Sequence, residues 1–192
     1  MLGPQQFASD DVNAIELREA TQADAAALGA LHVASWLEAY SGILPDEMLA
    51  GLSIEARAAM WSEILGDPAR FGGAVVFVAE DGGRIVGFGS CGRQRDDALA
   101  EAGFGGEIGA IYVFRSHQKR GVGCAIMAAM ARSLSAAGHE AASLWVLREN
   151  VPARAFYEGL GGEIVGEKKD ARPEATLIEI AYGWRDLSRL LR

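Results

Sequence analysis

The chain has 192 residues, 50% of them hydrophobic, and a formal net charge of -8. That length suits one domain with a full core, and no apolar run approaches the roughly 18 residues of a membrane span. The acidic balance argues against a nucleic-acid partner, whose phosphates want clustered Lys and Arg, and so against a toxin acting on charged tRNA; it mildly attracts a cationic amine.

Residues 1–13 read as a flexible tail with no basic-then-apolar signal peptide, and residues 14–192 as a single domain. Ile15 and Leu17 alternate with Glu16 and Arg18 in a short strand over 14–18. Thr21 with Asp24 makes a capping-box-like start to a helix ending near Tyr40. Leu28, Leu31, Val33, Trp36 and Leu37 form its apolar face. Gly42 and Pro45 break the chain, and two further helices are expected over 46–52 and 54–65. A hairpin follows: strand 74–80, the turn Asp81-Gly82-Gly83, and strand 84–92, thinned by Gly87 and Gly89. Residues 94–106 read as a polar loop. Strand 107–113, helix 124–134, strand 142–147, a helix from about Asn150, strands 163–166 and 175–182, and a tail turn over 187–191 complete the chain. This order suits a mixed α/β (α+β) sheet with helices on both faces. Cys91 and Cys124 are too few for a disulfide framework and read as small buried apolar residues in a reducing cytoplasm.

Chemistry concentrates between residues 107 and 157. A strand ends in a basic turn, Arg115 to Arg120, and Gly121-Val122-Gly123 opens a helix. Free N–H groups and the helix dipole make such a start an anion site; a solvated basic turn is the plain alternative. Ile126 at the sixth position argues against a Rossmann fingerprint, and no Walker string occurs. Gln118-Lys119-Arg120-Gly121-Val122-Gly123 does fit the pattern Gln/Arg-x-x-Gly-x-Gly/Ala, and Asn150, Ala153 and Tyr157 fit Asn-x-x-Ala-x-x-x-Tyr. On these motifs the chain resembles the GNAT superfamily of acyl-CoA-dependent N-acyltransferases. It departs from the family in Leu160-Gly161-Gly162, where Leu-Gly-Phe is usual.

The resemblance implies a mainly antiparallel sheet with one splayed parallel pair, strands 107–113 and 142–147, holding the pantetheine arm of acetyl-CoA as co-substrate, with no metal. It assigns cofactor contacts to Ile111, Tyr112 and Val113 on the strand, to Gln118, Lys119, Arg120, Gly121, Val122, Gly123, Cys124 and Ala125 around the turn, and to Asn150 and Arg154 beyond. Acetyl transfer to an amine needs a base and a proton donor for the leaving thiolate. Glu107 is the candidate base, expected by alternation to share a face with Gly109, Ile111 and Val113; His32 and His117 are fallbacks. Tyr157 is the candidate acid, two helical turns from Asn150. Trp36 and Tyr40, with Trp61, line an acceptor pocket or simply fill core. The expected reaction is acetyl transfer from acetyl-CoA to a primary amine in a ternary complex. A longer acyl donor, a non-amine acceptor and a non-catalytic acyl-CoA sensor are the alternatives. Small amines and protein N-termini both stay open as acceptors, as does a homodimer.

Overall fold

In the computed structural model, which describes residues 15–172 and 175–191, seven strands form one sheet in the order β1-β2-β3-β4-β5-β7-β6. The strands are β1 Glu16–Glu19, β2 Val75–Asp81, β3 Arg84–Arg93, β4 Gly106–Val113, β5 Ala142–Leu147, β6 Glu163–Ala171 and β7 Thr176–Trp184. The expected tail over residues 1–13 lies outside the described residues. Every neighbouring pair is antiparallel except β4–β5. Those two run parallel and pair only at Gly106↔Ala142 and Glu107↔Ser143, then part. The mixed sheet with a splayed parallel pair is the architecture expected above.

Helices cover both faces. On one side α1 (Ala25–Tyr40) and α3 (Ile54–Gly66) bury Leu28, Leu31 and Trp61 against Val76, Val78 and Phe88. The short α2 (Asp46–Ala50) adds Leu49 beside Tyr40 and Leu44. On the other side α5 (Val122–Ala136) buries Ile126, Met127, Met130 and Leu134, while α6 (Val151–Gly159) adds Tyr157. Gly89 lets α5 lie this close, because a Cβ there would stand 2.5 Å from Ile126 Cγ2.

The sequence reading needs correction in four places. Leu37 is 45% exposed and leaves the apolar face of α1. The loop over 94–106 contains a short helix, α4 (Asp97–Glu101), whose start is capped when Asp96 Oδ1 accepts the Leu99 N–H at 3.2 Å. β6 runs nine residues; it edges the sheet, so the polar run Glu167-Lys168-Lys169-Asp170 sits in it without a burial cost. Finally, Ala110 pairs with Ser90 and Ile108 with Cys91, so Gly109 is an extra residue, a bulge. The bulge reverses alternation. Ile111 and Val113 pack on the α5 side with Ile108, whereas Ala110 and Tyr112 pack toward α1 and α3. Glu107 therefore shares the face of Tyr112, not that of Ile111 and Val113.

Candidate active site

Where β4 and β5 part, a cleft of about 640 Å³ opens. Its walls come from β4, β5, the Gln118–Cys124 turn, α6 and the end of α1. A second cavity of about 210 Å³ adjoins it, sharing Tyr40, Ile108, Gly109, Tyr112, Trp145 and Val146 and adding Trp36, Glu107, Arg172 and Glu179. The two meet at the bulge. Glu107 lines only the small cavity and Tyr157 only the large one.

The β4 edge supplies backbone groups to the cleft. Phe114 N–H donates to Val86 O on β3 at 3.0 Å. By antiparallel alternation Ile111 and Val113 then turn their N–H and C=O groups the other way, toward the cleft. Gln118 Nε2 already donates to Val113 O at 2.9 Å, which folds the turn back onto the strand end. Tyr112 faces its backbone to β3 and lines both cavities. Arg115 fastens the turn to α1, donating from its backbone N–H to Glu38 Oε2 at 2.9 Å and from Nη2 to Glu38 O at 2.7 Å.

Gly121 caps α5 at φ 83°, in the left-handed region that costs an L side chain. A Cβ there would meet nothing within 4 Å, whereas one on Gly123 would stand 3.1 Å from the Phe156 ring. Lys119, Gly121, Gly123 and Cys124 line the cleft, with Cys124 exposed there and not buried as the sequence suggested, but Arg120, Val122 and Ala125 do not. The Val122 side chain is buried in the core. The Ala125 N–H is already spent within the helix, on Gly121 O at 2.9 Å. The donors left to an anion at this end are the N–H groups of Gly121, Val122, Gly123 and Cys124.

Asn150 stands one step outside α6 and caps it, its Oδ1 accepting the Ala153 N–H at 3.3 Å. It and Tyr157 both line the cleft, although the two-turn spacing expected for them does not hold across the cap. Burial raises the Tyr157 phenol above its ordinary range, with the Tyr40 phenol adding to the effect. The group stays protonated at neutral pH. Arg154 turns away from the cleft, donating from Nε to the Tyr182 hydroxyl at 3.1 Å and from Nη1 to Arg148 O at 3.2 Å.

Glu107 is held by Arg95. Oε2 accepts the Arg95 N–H at 3.1 Å and Nε–H at 2.9 Å, and Oε1 accepts from Nη2 at 2.6 Å. A carboxylate offers about four lone-pair sites, so one is left for water or substrate. Buried Gln94 sets this clamp. Its Nε2 donates to Ser143 Oγ at 2.7 Å and Gly106 O at 3.4 Å, while Oε1 accepts the Arg95 and Asp96 N–H groups at 3.0 and 2.9 Å. Gly106 and Ser143 belong to the last paired rungs of β4 and β5, so one amide pins the vertex of the wedge and presents Arg95 to Glu107.

The fallback bases sit elsewhere. His32 is buried outside both cavities, and its Nδ1 accepts the Trp61 N–H at 3.2 Å. Burial, helped by Arg57, lowers its pKa to about 4. His117 pairs with Asp81 at 3.2 Å. Trp61 is core, whereas Trp36 and Tyr40 line the small cavity. Sequence reasoning missed Gln94, Arg95, Trp145, Arg172 and Glu179. Only Trp145 carried a local signal: strand alternation sets it opposite the core residues Leu144 and Val146.

The fold and cleft are those of an acetyltransferase. The family model described as Acetyltransferase (GNAT) family matches residues 34–161, and the chain belongs to that family. It is 32% identical over 179 residues to the uncharacterized N-acetyltransferase YuaI of Bacillus subtilis (strain 168), covering 92% of this chain and 96% of the relative. Two solved structures share the fold. One is the PaiA N-acetyltransferase of Thermoplasma acidophilum in complex with coenzyme A, with TM-score 0.66 and 18% identity over 86% of this chain and 98% of that one. The other is YncA of Salmonella typhimurium with its cofactor acetyl-CoA, with TM-score 0.65 and 18% identity over 91% and 94%.

Proposed function

We propose that this protein transfers the acetyl group of acetyl-CoA to a primary amine by direct attack in a ternary complex. The observation that carries this is the placement of Glu107 and Tyr157 in adjoining cavities that meet at the Gly109 bulge. Acetyl-CoA fits the large cleft by its chemistry. The β4 edge offers the Ile111 and Val113 N–H groups to amide carbonyls, as an added strand would. The start of α5, with Lys119 beside it, offers N–H groups and positive charge to a pyrophosphate.

Acetyl-CoA brings the acyl group already activated as a thioester; the chain's own residues move the protons. An alkylammonium cannot attack, so Glu107 takes its proton through the lone pair that Arg95 leaves open, directly or by way of one water. Tyr157 lines the cleft, holds its proton at neutral pH and would supply it to the leaving thiolate. No covalent enzyme intermediate is needed, and no hydrogen bond ties Cys124 to a base among the described residues. A small amine or a protein N-terminal amine enters through the small cavity, past Trp36 and Tyr40.

The test is thiol release from acetyl-CoA and longer acyl-CoA donors across an amine panel, repeated with Glu107→Gln. Gln keeps the size and removes the basicity. The loss in kcat/KM should be large at neutral pH and shrink as the pH rises and more amine is neutral. CoA binding without thiol release from any amine would sink the catalytic reading in favour of a sensor. An equal loss at every pH would leave Glu107 only a positioning role.

A further inference from the structure

The small cavity has a one-sided complement of unmet partners. Its two acids are already paired: Glu107 with Arg95 at 2.6 Å, and Glu179 with Lys168 at 3.4 Å. Beyond the one lone pair that Arg95 leaves open on Glu107, a cation entering it finds no unpaired carboxylate among the described residues that line it. Its indole faces are engaged as well. Lys168 Nζ sits 4.0 Å from the Trp145 ring centroid, and the Arg57 guanidinium 5.2 Å from that of Trp36.

The donors are in the opposite state. The Trp145 Nε1–H is buried with no acceptor among the described residues. The Trp36 Nε1–H is also buried with no full hydrogen bond among the described residues, and the Tyr112 hydroxyl is the group it interacts with. An indole N–H can only donate, and a buried donor left unpaired is costly. Arg172 adds a third donor set. Its Nε and Nη2 meet Asp170 at 2.7 Å, while its Nη1 has no partner among the described residues. Trp36, Trp145 and Arg172 all line this cavity.

Resting on the acetyl-transfer reading above, we propose that the acceptor is a small amino acid or like molecule: a primary amine that carries an oxyanion within the same cavity. The amine lies at Glu107, and the oxyanion accepts from the Trp145 and Trp36 indoles and Arg172 Nη1. The aromatic walls cover the carbon skeleton between them. The cavity's volume of about 210 Å³ falls below the usual range for drug-sized ligands, so the occupant is small.

Thiol release from acetyl-CoA is measured with a panel of L-amino acids, with the amine that remains when each loses its carboxylate, and with putrescine. The carboxylate-bearing members should have kcat/KM at least about 10-fold above their decarboxylated partners, the scale of a charge-assisted hydrogen bond. Trp145→Phe keeps the ring and removes the N–H. It should raise KM for the amino acids about 10-fold more than for the decarboxylated amines, and Arg172→Gln should act in the same sense. A merely structural loss would move both series together. Equal or better turnover of the decarboxylated amines or of putrescine, or a uniform effect of Trp145→Phe, overturns the proposal while leaving acetyl transfer intact. Absence of thiol release from every amine removes the acetyl-transfer reading on which it rests.

Discussion

His32 gives the sharpest quantitative test of the packing around the site. The ring is 7% exposed, and its pKa is lowered from 6.5 to about 4, chiefly by burial. Above pH 6.5 it is neutral whether folded or unfolded, and its contribution to stability is complete. Between pH 6.5 and about 4 the unfolded chain takes up a proton that the folded chain refuses, so stability falls as pH falls. One pKa unit corresponds to about 1.4 kcal/mol, so the full displacement is worth roughly 3 kcal/mol, most of it lost by pH 4.5. With a urea slope of about 2–3 kcal/mol/M, the unfolding midpoint should drop by about 1 M between pH 7 and pH 4.5. His32→Asn places an amide oxygen near the Nδ1 position and keeps an acceptor for the Trp61 N–H. The variant should start less stable at pH 7 and lose most of this pH dependence, while retaining thiol release near neutral pH. A variant whose midpoint tracks the parent's fall would refute the assignment, and one that loses catalysis would return His32 to the list of bases.

Tyr157→Phe should lower kcat by about 10²–10⁴-fold, with CoA affinity by calorimetry changed only a few-fold; turnover within twofold of the parent would demote Tyr157 to packing. Gln94→Leu strands the buried Ser143 Oγ and frees the Arg95 loop. It should cost about 1–3 kcal/mol in urea unfolding and lower kcat more than it raises KM, and an unchanged kcat would detach the vertex from the chemistry. Gly89→Ala pushes a methyl into Ile126 at 2.5 Å and should destabilise by about 1–3 kcal/mol, seen as a lower thermal midpoint. Gly123→Leu, facing the Phe156 ring at 3.1 Å, should weaken CoA binding at least about 10-fold while the far-ultraviolet spectrum stays that of the parent.

Local patterns reported what local chemistry decides. The apolar run over β5 and the Gly-Gly hairpin between β2 and β3 set their own bounds, as did the Gly-bearing turn before α5. The face of Glu107 was not legible, because a bulge is settled by pairing with β3, and Gly109 alone does not announce one. Arg95 and Glu107 lie twelve residues apart on a loop and a strand, where no spacing rule operates. The Gln94 pin depends on Ser143, brought near only by the parallel pairing of β4 with β5. Asn150-Val-Pro was a cap signal in plain view, since Pro is tolerated only at a helix start.

The sheet treats its edges unequally. The outer strand β1 is only four residues long and carries Glu16, Arg18 and Glu19, and β6 at the far side bears Glu163, Glu167, Lys168, Lys169 and Asp170. Short length and charge are the usual guards against strand-to-strand aggregation. The β4 stretch from Ile108 to Val113 has no such guard: it is uncharged, largely apolar and unpaired on one side. Its protection is position, since it lies inside the molecule between β5 and the end of α1. A foreign sheet is too broad to reach that edge, whereas a single slender chain fits. On the acetyl-transfer reading proposed above, the narrow opening that would take an extended arm also shields the strand edge that the sheet leaves open.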